Sequence, residues 1–361
     1  MLSTCLAAVG LFGSVLLLGN ALKDLLGPTL TGQIPLATFF KLMGLLVPYV
    51  AAYALPMGVL TGVLLVLGRM SAQHEITAMR AAGLSLGFIA RPILVLGLLG
   101  TAASLVVNFE HMPRARTAYK EIFGQAVQRN PLSFIVPKTF VREFPGVVLY
   151  VGAKDGSRLR DFWVWQFDEE GRVRVFARAD EGDFQFEPDT NTLVLTLRNV
   201  VMESRNERDP EDFTRPLTTS AVGEFPVKLQ LDHLFGRQVL RRKVEWLTFT
   251  QLTQEWRRLG AAGDDAGRMR VAIALHDKAS TAVAVLAFAV IAIPLGIRVS
   301  RKETSANLGV ALLLVMLYYF LTNVIKLLHD QPALRPDLLL WLPAAGFLVA
   351  GVWMFRRIGR V

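Results

Sequence analysis

"LPMGVLTGVLLVLGRMSAQHEITAMRAAGLS", Leu55 to Ser85, decides how the chain must be read. An apolar run, "LPMGVLTGVLLVLG", is followed by the polar stretch Ser71–Gly83, which carries His74, Glu75 and Arg80. A second apolar run, "RPILVLGLLGTAASLVV", begins at Arg91. The polar stretch has helical spacing. Ala72, Ile76, Met79 and Gly83 fall on one face, and Glu75, Ala78 and Ala82 on another. Ser71 is a candidate N-cap and Gly83 a candidate helix terminator. A short helix between two spans predicts a membrane protein with a structured loop.

The surrounding sequence agrees. A spanning helix needs about 20 mostly apolar residues. Leu2–Leu22, a span from about Val47 within Leu36–Gly68, Leu86–Asn108, Ala279–Ile297, Leu308–Leu328 and Leu338–Phe355 meet that need. The stretch before Val47, with Pro48 just inside the span, predicts an interfacial or tilted approach. Met1 stands against the first run with no basic leader, which argues against a cleaved signal peptide. "LSTC" lacks the leader of a lipoprotein box, and the single cysteine, Cys5, excludes an internal disulfide.

Of 361 residues, those from Glu110 to Ile273 hold 25 basic and 24 acidic side chains; the rest hold 14 and 6. The +9 net charge therefore belongs to the apolar ends, a pattern of lipid contact rather than nucleic-acid binding. Arg69, Arg80, Arg91, Arg298, Arg301, Lys302, Arg356, Arg357 and Arg360 fall on one side of the membrane against Glu75 and Glu303. Lys23, Lys41, Lys278, Lys326 and Arg335 fall on the other, against four aspartates. The more basic side is expected to be cytoplasmic, with both termini inside and the middle segment outside.

That segment is of another kind. "GVVLYVGAK", "DFWVWQFD", "GRVRVFARA", "GDFQFE" and "TLVLTLRNVVMES" are short runs separated by Gly, Asp and Asn, which predicts an antiparallel sandwich or roll. Alternation groups Trp163, Trp165 and Phe167, then Phe184 with Phe186, then Leu193, Leu195 and Leu197. After Leu240 the pattern turns helical and leads back to the membrane near His276. The expected organisation is residues 1–109 with three spans and the loop helix 71–83, 110–270 as the outer β domain, and 271–361 with three more spans.

No catalytic pattern is present. There is no G-x-x-x-x-G-K-[ST], no H-E-x-x-H and no G-x-S-x-G, and "GVLTGVLLVLG" suits helix packing rather than phosphate binding. Neither a cofactor nor a metal site is expected.

The layout of three spans, an outer β domain and three spans resembles the LptF/LptG permease family of the lipopolysaccharide exporter. So do two stretches, Leu55–Ser85 and "IAIPLGIRVSRKETSANLGVALLLVMLYYFLTN", Ile291 to Asn323. Family members usually carry a basic segment before the first span, and the sequence from Met1 departs from that expectation. The resemblance implies an α+β membrane protein of the inner membrane with a β-jellyroll-like domain between the third and fourth spans. It also implies a second permease of the same type, a cytoplasmic ATPase dimer similar to LptB, and a periplasmic bridge of jellyrolls similar to LptC and LptA. Lipopolysaccharide would be taken from the outer leaflet and passed to the β domain.

On this resemblance Ser71–Gly83 is a coupling helix, with Glu75, Ile76, Met79 and Arg80 as contacts to the ATPase. Lys23, Lys41, Lys278 and Lys326 fall at outer-leaflet level, where lipid A carries phosphates. Trp165, Phe184 and Leu195 are candidate groove positions for acyl chains. The bland readings are a loop helix lying on headgroups, snorkelling lysines and an ordinary sandwich core. A different class of protein, a membrane scaffold recruiting envelope proteins by strand addition, would need no ATPase contact.

Overall fold

The computed structural model describes residues 1–30, 34–129, 137–141, 146–155, 158–168, 171–187, 192–204, 218–230, 244–298, 304–330 and 334–358. The chain divides into two compact units, Met1–Lys23 with Lys41–Tyr119 and Lys243–Val361, and Asp24–Phe40 with Lys120–Arg242.

The first unit is helical. Its helices, with residues 36–40 and 120–129 counted in the second unit, are α1 (Leu2–Ala21), α2 (Leu36–Ala72), the short loop helix α3 (Glu75–Ala81), α4 (Leu86–Val106) and α5 (Met112–Arg129). After the β domain come α6 (Phe249–Ala261), α7 (Asp265–Arg298), α8 (Thr304–Lys326) and α9 (Leu342–Ile358). Six stretches are long and apolar enough to cross a membrane: Leu2–Leu26, Leu36–Ala72, Leu86–Phe123, Asp265–Ile297, Asn307–Lys326 and Pro336–Ile358. The segment before Val47 is helical and continuous with the span, because α2 runs unbroken through Pro48 and Pro56. Each proline removes one backbone donor without ending the helix.

Lipid tails are as apolar as leucine, so these helices associate by close approach rather than by exclusion of water. Glycine makes the approach possible. A Cβ on Gly58 would stand 2.6 Å from the Val9 backbone nitrogen, and one on Gly62 2.6 Å from the Cys5 Cα, which locks α1 onto α2. Helix α7 is gripped likewise. A Cβ on Gly97 of α4 would meet Ala289 at 2.9 Å, and one on Gly351 of α9 would meet the Ile291 backbone at 2.9 Å. The membrane core centres on Phe288, which stacks against Tyr318 of α8 and Phe347 of α9 with ring centroids 5.1 and 5.5 Å away.

The second unit carries one antiparallel sheet, a meander of six strands in chain order: β1 (Thr139–Val141), β2 (Val147–Asp155), β3 (Arg158–Phe167), β4 (Val173–Glu187), β5 (Thr192–Ser204) and β6 (Thr218–Gln230). A row of residues interrupts the ladder across it. Val151 pairs with Phe162 and Ala153 with Arg160, which leaves Gly152 and Asp161 between them outside the pairing. Asp180, Asn199 and Gly223 are skipped in the same way on β4, β5 and β6. Asp161 and Asn199 have left-handed backbones, at φ 57° and 54°.

The row acts as a crease. On β5, Leu195 and Leu197 are buried before it and Val200 after it, so the inward parity changes from odd to even. On β4, Ala177 and Ala179 face the core, yet so does Gly182, where a Cβ would lie 2.7 Å from the Phe162 ring. Both halves of the sheet therefore feed a single core with Leu149, Phe162, Val164 and Val227. A creased sheet closing on one core is a roll, and it is the β part of this α+β membrane fold.

The left-handed backbone at Asn199 suits asparagine or glycine and excludes a β-branched side chain. Asn199→Val is expected to cost about 1–2 kcal/mol and lower the thermal unfolding midpoint of the purified chain. Asn199→Gly is expected to stay near wild type; equal loss in both variants would count against the crease.

Candidate functional site

The loop helix is built differently at its two ends. Helix α2 continues through Ser71 and Ala72, so Ser71 is not the N-cap of α3; His74 is, with a left-handed backbone at φ 57°. The Ser71 hydroxyl instead donates to the Ile297 carbonyl at 2.9 Å, satisfying an acceptor in the last turn of α7. The other end closes as the glycine implied. Gly83 lies at φ 88°, the Leu84 amide donates to the Met79 carbonyl, and the Gly83 amide donates to the Arg80 carbonyl. Those two bonds are a Schellman cap. Ile76 is buried in the membrane core and Met79 packs against it. Glu75, Thr77, Ala78 and Arg80 are exposed. The helix is thus anchored by one apolar face and offers a polar one. Arg301, Lys302, Glu303 and Arg360, counted for orientation, lie outside the described residues.

At the opposite end of the bundle the four candidate lysines separate. Lys23 and Lys41 are exposed. Lys278 and Lys326 line one cavity of about 230 Å³, together with Tyr49, Tyr53, Arg116 and Asp277. Lys278 is buried and its ammonium donates to the Leu247 carbonyl at 2.7 Å. It also lies 5.9 Å from the Phe109 ring centroid. This lysine ties the segment returning from the β domain to α7. Lys326 meets the Asp277 carboxylate at 2.9 Å. That acid is distant in sequence, so the adjacency of Asp277 to Lys278 gave no hint of it.

Sequence reasoning missed most of the cavity wall. The Arg116 guanidinium lies 3.7 Å over the Tyr49 ring, and Tyr53 connects Tyr49 to Tyr319 with centroids 5.4 and 5.7 Å apart. The Tyr319 hydroxyl is buried with no hydrogen-bond partner. Three cations, Arg116, Lys278 and Lys326, face two acids, Asp277 and Glu245. The surplus positive charge and the spare donor suit an anionic oxygen group. A sequence signal existed in the spacing Asn323, Lys326 and Tyr319 on one helix, but it needed α2 and α7 beside it.

The β-domain candidates do not share a face. Leu195 is fully buried in the roll core with Phe162 and Val164. Trp165 belongs to the other face of β3, where it packs with Trp163, Phe176 and Phe140 at centroid distances of 5.9, 5.3 and 5.8 Å. The Phe184 backbone pairs with Leu195, and its side chain lies outside the described set. The aromatic face is edged by charge: Trp163 donates to Asp161 at 2.9 Å, and the Arg178 guanidinium lies 5.5 Å from its ring.

Six helices long and apolar enough to cross a membrane, three on each side of a β roll in the chain, and a loop helix anchored in the apolar core make an α+β membrane protein. The chain belongs to the lipopolysaccharide export system permease LptF/LptG family, whose model matches residues 1–357. It is similar to the lipopolysaccharide export system permease protein LptF of Escherichia coli (strain K12). The two are 22% identical over 324 residues, covering 89% of this chain and 82% of that protein. The LptF proteins of Escherichia coli O157:H7 and Shigella flexneri match to the same extent. Membership of this family and the six apolar helices make the chain a multi-pass protein of the inner membrane.

The buried Lys278 sets a test. Lys278→Met leaves the Leu247 carbonyl without its donor, at a cost of about 1–3 kcal/mol, and is expected to lower the unfolding midpoint in lipid-free detergent. Lys23→Met removes an exposed charge and should leave that midpoint in place. Equal midpoints for the two variants would show that Lys278 holds nothing together.

Proposed function

We propose that the chain is one permease of an ATP-driven lipopolysaccharide exporter. It pairs with a second permease of the same family, and a cytoplasmic ATPase dimer similar to LptB drives both. Lipopolysaccharide is drawn from the outer leaflet of the inner membrane and handed through the β roll to a periplasmic bridge of jellyrolls similar to LptC and LptA. The observation that carries this reading is the family match along residues 1–357, which includes both membrane halves and the β segment.

In this reading both termini and α3 face the cytoplasm, as the excess of Lys and Arg on that side supports. Helix α3 transmits motion because Ile76 and Met79 embed it in the same core that holds α7. Glu75 and Arg80 stand outward to meet the ATPase. At the other end, Lys278 and Lys326 are part of a cavity wall whose cations attract lipid A phosphates, and Lys23 and Lys41 supply exposed positive charge at the same level. Release of Lys326 from Asp277 would free an ammonium for phosphate. In the β domain, Leu195 belongs to the apolar interior, and Trp165 gives a second, aromatic surface for acyl chains.

Glu75→Lys turns an attraction for an arginine of the ATPase into repulsion. Loss of a buried charged contact costs about 2–5 kcal/mol, so co-purification of the ATPase should fall more than tenfold while membrane insertion is unchanged. Wild-type ATPase recovery in this variant would remove α3 from the coupling role.

A further inference from the structure

A second, larger cavity of about 710 Å³ lies between α6, the first turns of α7 and the segment before α9. It is separate from the lysine cavity. Asp265, Arg268, Met269, Ala272, Leu275 and His276 line it, and they recur at three- and four-residue spacing on one face of α7. Ala274, Asp277, Lys278 and Thr281, on the opposite face, line the other cavity. A lipid held here would therefore stand apart from the proposed substrate path.

Its depth is fixed by the length of α7. The helix has 34 residues, about 51 Å at 1.5 Å per residue, against a hydrocarbon core of about 30 Å. The apolar part lies toward Ile297, so the Asp265 end projects into the interface. Trp341 donates to His276 Nδ1 at 2.8 Å, an indole placed where such rings prefer to sit.

The wall has donors in surplus. Asp337 is buried and taken up by Arg335, with N–O distances of 3.3 and 3.4 Å. Arg268 reaches Asp265 only at 3.9 Å, and its buried Nε has no hydrogen-bond partner. Its guanidinium lies 4.5 Å over the Trp256 ring, which holds the planar fork in place. Arg257 is exposed at the rim. Because His276 Nδ1 accepts from Trp341, the ring keeps Nε2–H as a donor. Trp256, Met269, Ala272 and Leu275 supply the apolar surface.

We propose that this cavity binds the phosphodiester headgroup of an anionic glycerophospholipid, as a resident lipid and not as cargo. Arg268 and Arg257 take the phosphate oxygens, and the apolar wall takes the glycerol and first acyl carbons. The inference is independent of the export reading, since it needs neither an ATPase nor lipopolysaccharide.

The test uses the full chain in detergent, with native mass spectrometry counting bound phosphatidylglycerol against diacylglycerol, which has the same acyl chains and glycerol but no phosphate. Two charge-assisted contacts at about 1.5–3 kcal/mol each imply a preference of at least tenfold for phosphatidylglycerol. Arg257→Gln with Arg268→Gln should abolish that preference, and Arg268→Lys should keep part of it. Arg257→Gln alone, at an exposed position, should weaken it without changing the lipid-free unfolding midpoint. Equal binding of the two lipids by the wild type, or a preference retained by the double variant, would overturn the proposal. Displacement of phosphatidylglycerol by an equal concentration of inorganic phosphate would make this a free-anion site, and displacement by lipopolysaccharide a cargo site; either overturns a resident lipid.

Discussion

The close packing of α7 against its neighbours is the constraint on which the rest of the molecule depends. In lipid no hydrophobic force drives helices together, so contact distance decides the assembly. Gly97 admits Ala289, Gly351 admits the Ile291 backbone and Gly296 admits Leu67. With α7 held on these sides, Phe288 reaches Tyr318 and Phe347, and α8 and α9 are placed. Polar bonds finish the end of the bundle nearer Asp265. Ser280 donates to the Leu340 carbonyl at 2.7 Å, and Lys278 to Leu247.

Because it is central and longer than the bilayer is thick, α7 gives each end of the molecule a different task. Toward Arg298 it accepts the Ser71 hydroxyl and so steadies the chain leading into α3. Toward Asp265 its two faces line two cavities of different chemistry. One is a lysine–tyrosine pocket with an internal ion pair; the other is an arginine-rimmed pocket with an apolar wall. A shift of α7 would therefore be felt by α3 and by both cavities together.

Local signals in the sequence predicted what depends on local physics. Apolar runs of span length, the Gly83 terminator and the strand-like middle segment were readable because each rests on residues near one another in the chain. Ser71 misled because its hydroxyl is claimed by a carbonyl 226 positions away. Alternation grouped Leu195 with Leu197 correctly, but it could not relate β5 to β3, so Leu195 and Trp165 were placed together although they lie on opposite faces. The crease explains why: a single left-handed residue at Asp161 and at Asn199 shifts parity without changing strand length. Lys326 and Asp277 meet only because α8 and α7 pack, a fact no window of sequence contains.

The account stands most directly on energy-coupled movement of lipid. The measurement is transfer of lipopolysaccharide from proteoliposomes containing this chain, a second permease and the ATPase to a soluble periplasmic jellyroll acceptor, followed by photo-crosslinking with and without ATP. The account predicts transfer that requires both ATP and this chain. Transfer at the same rate without ATP, or from vesicles lacking this chain, would contradict it.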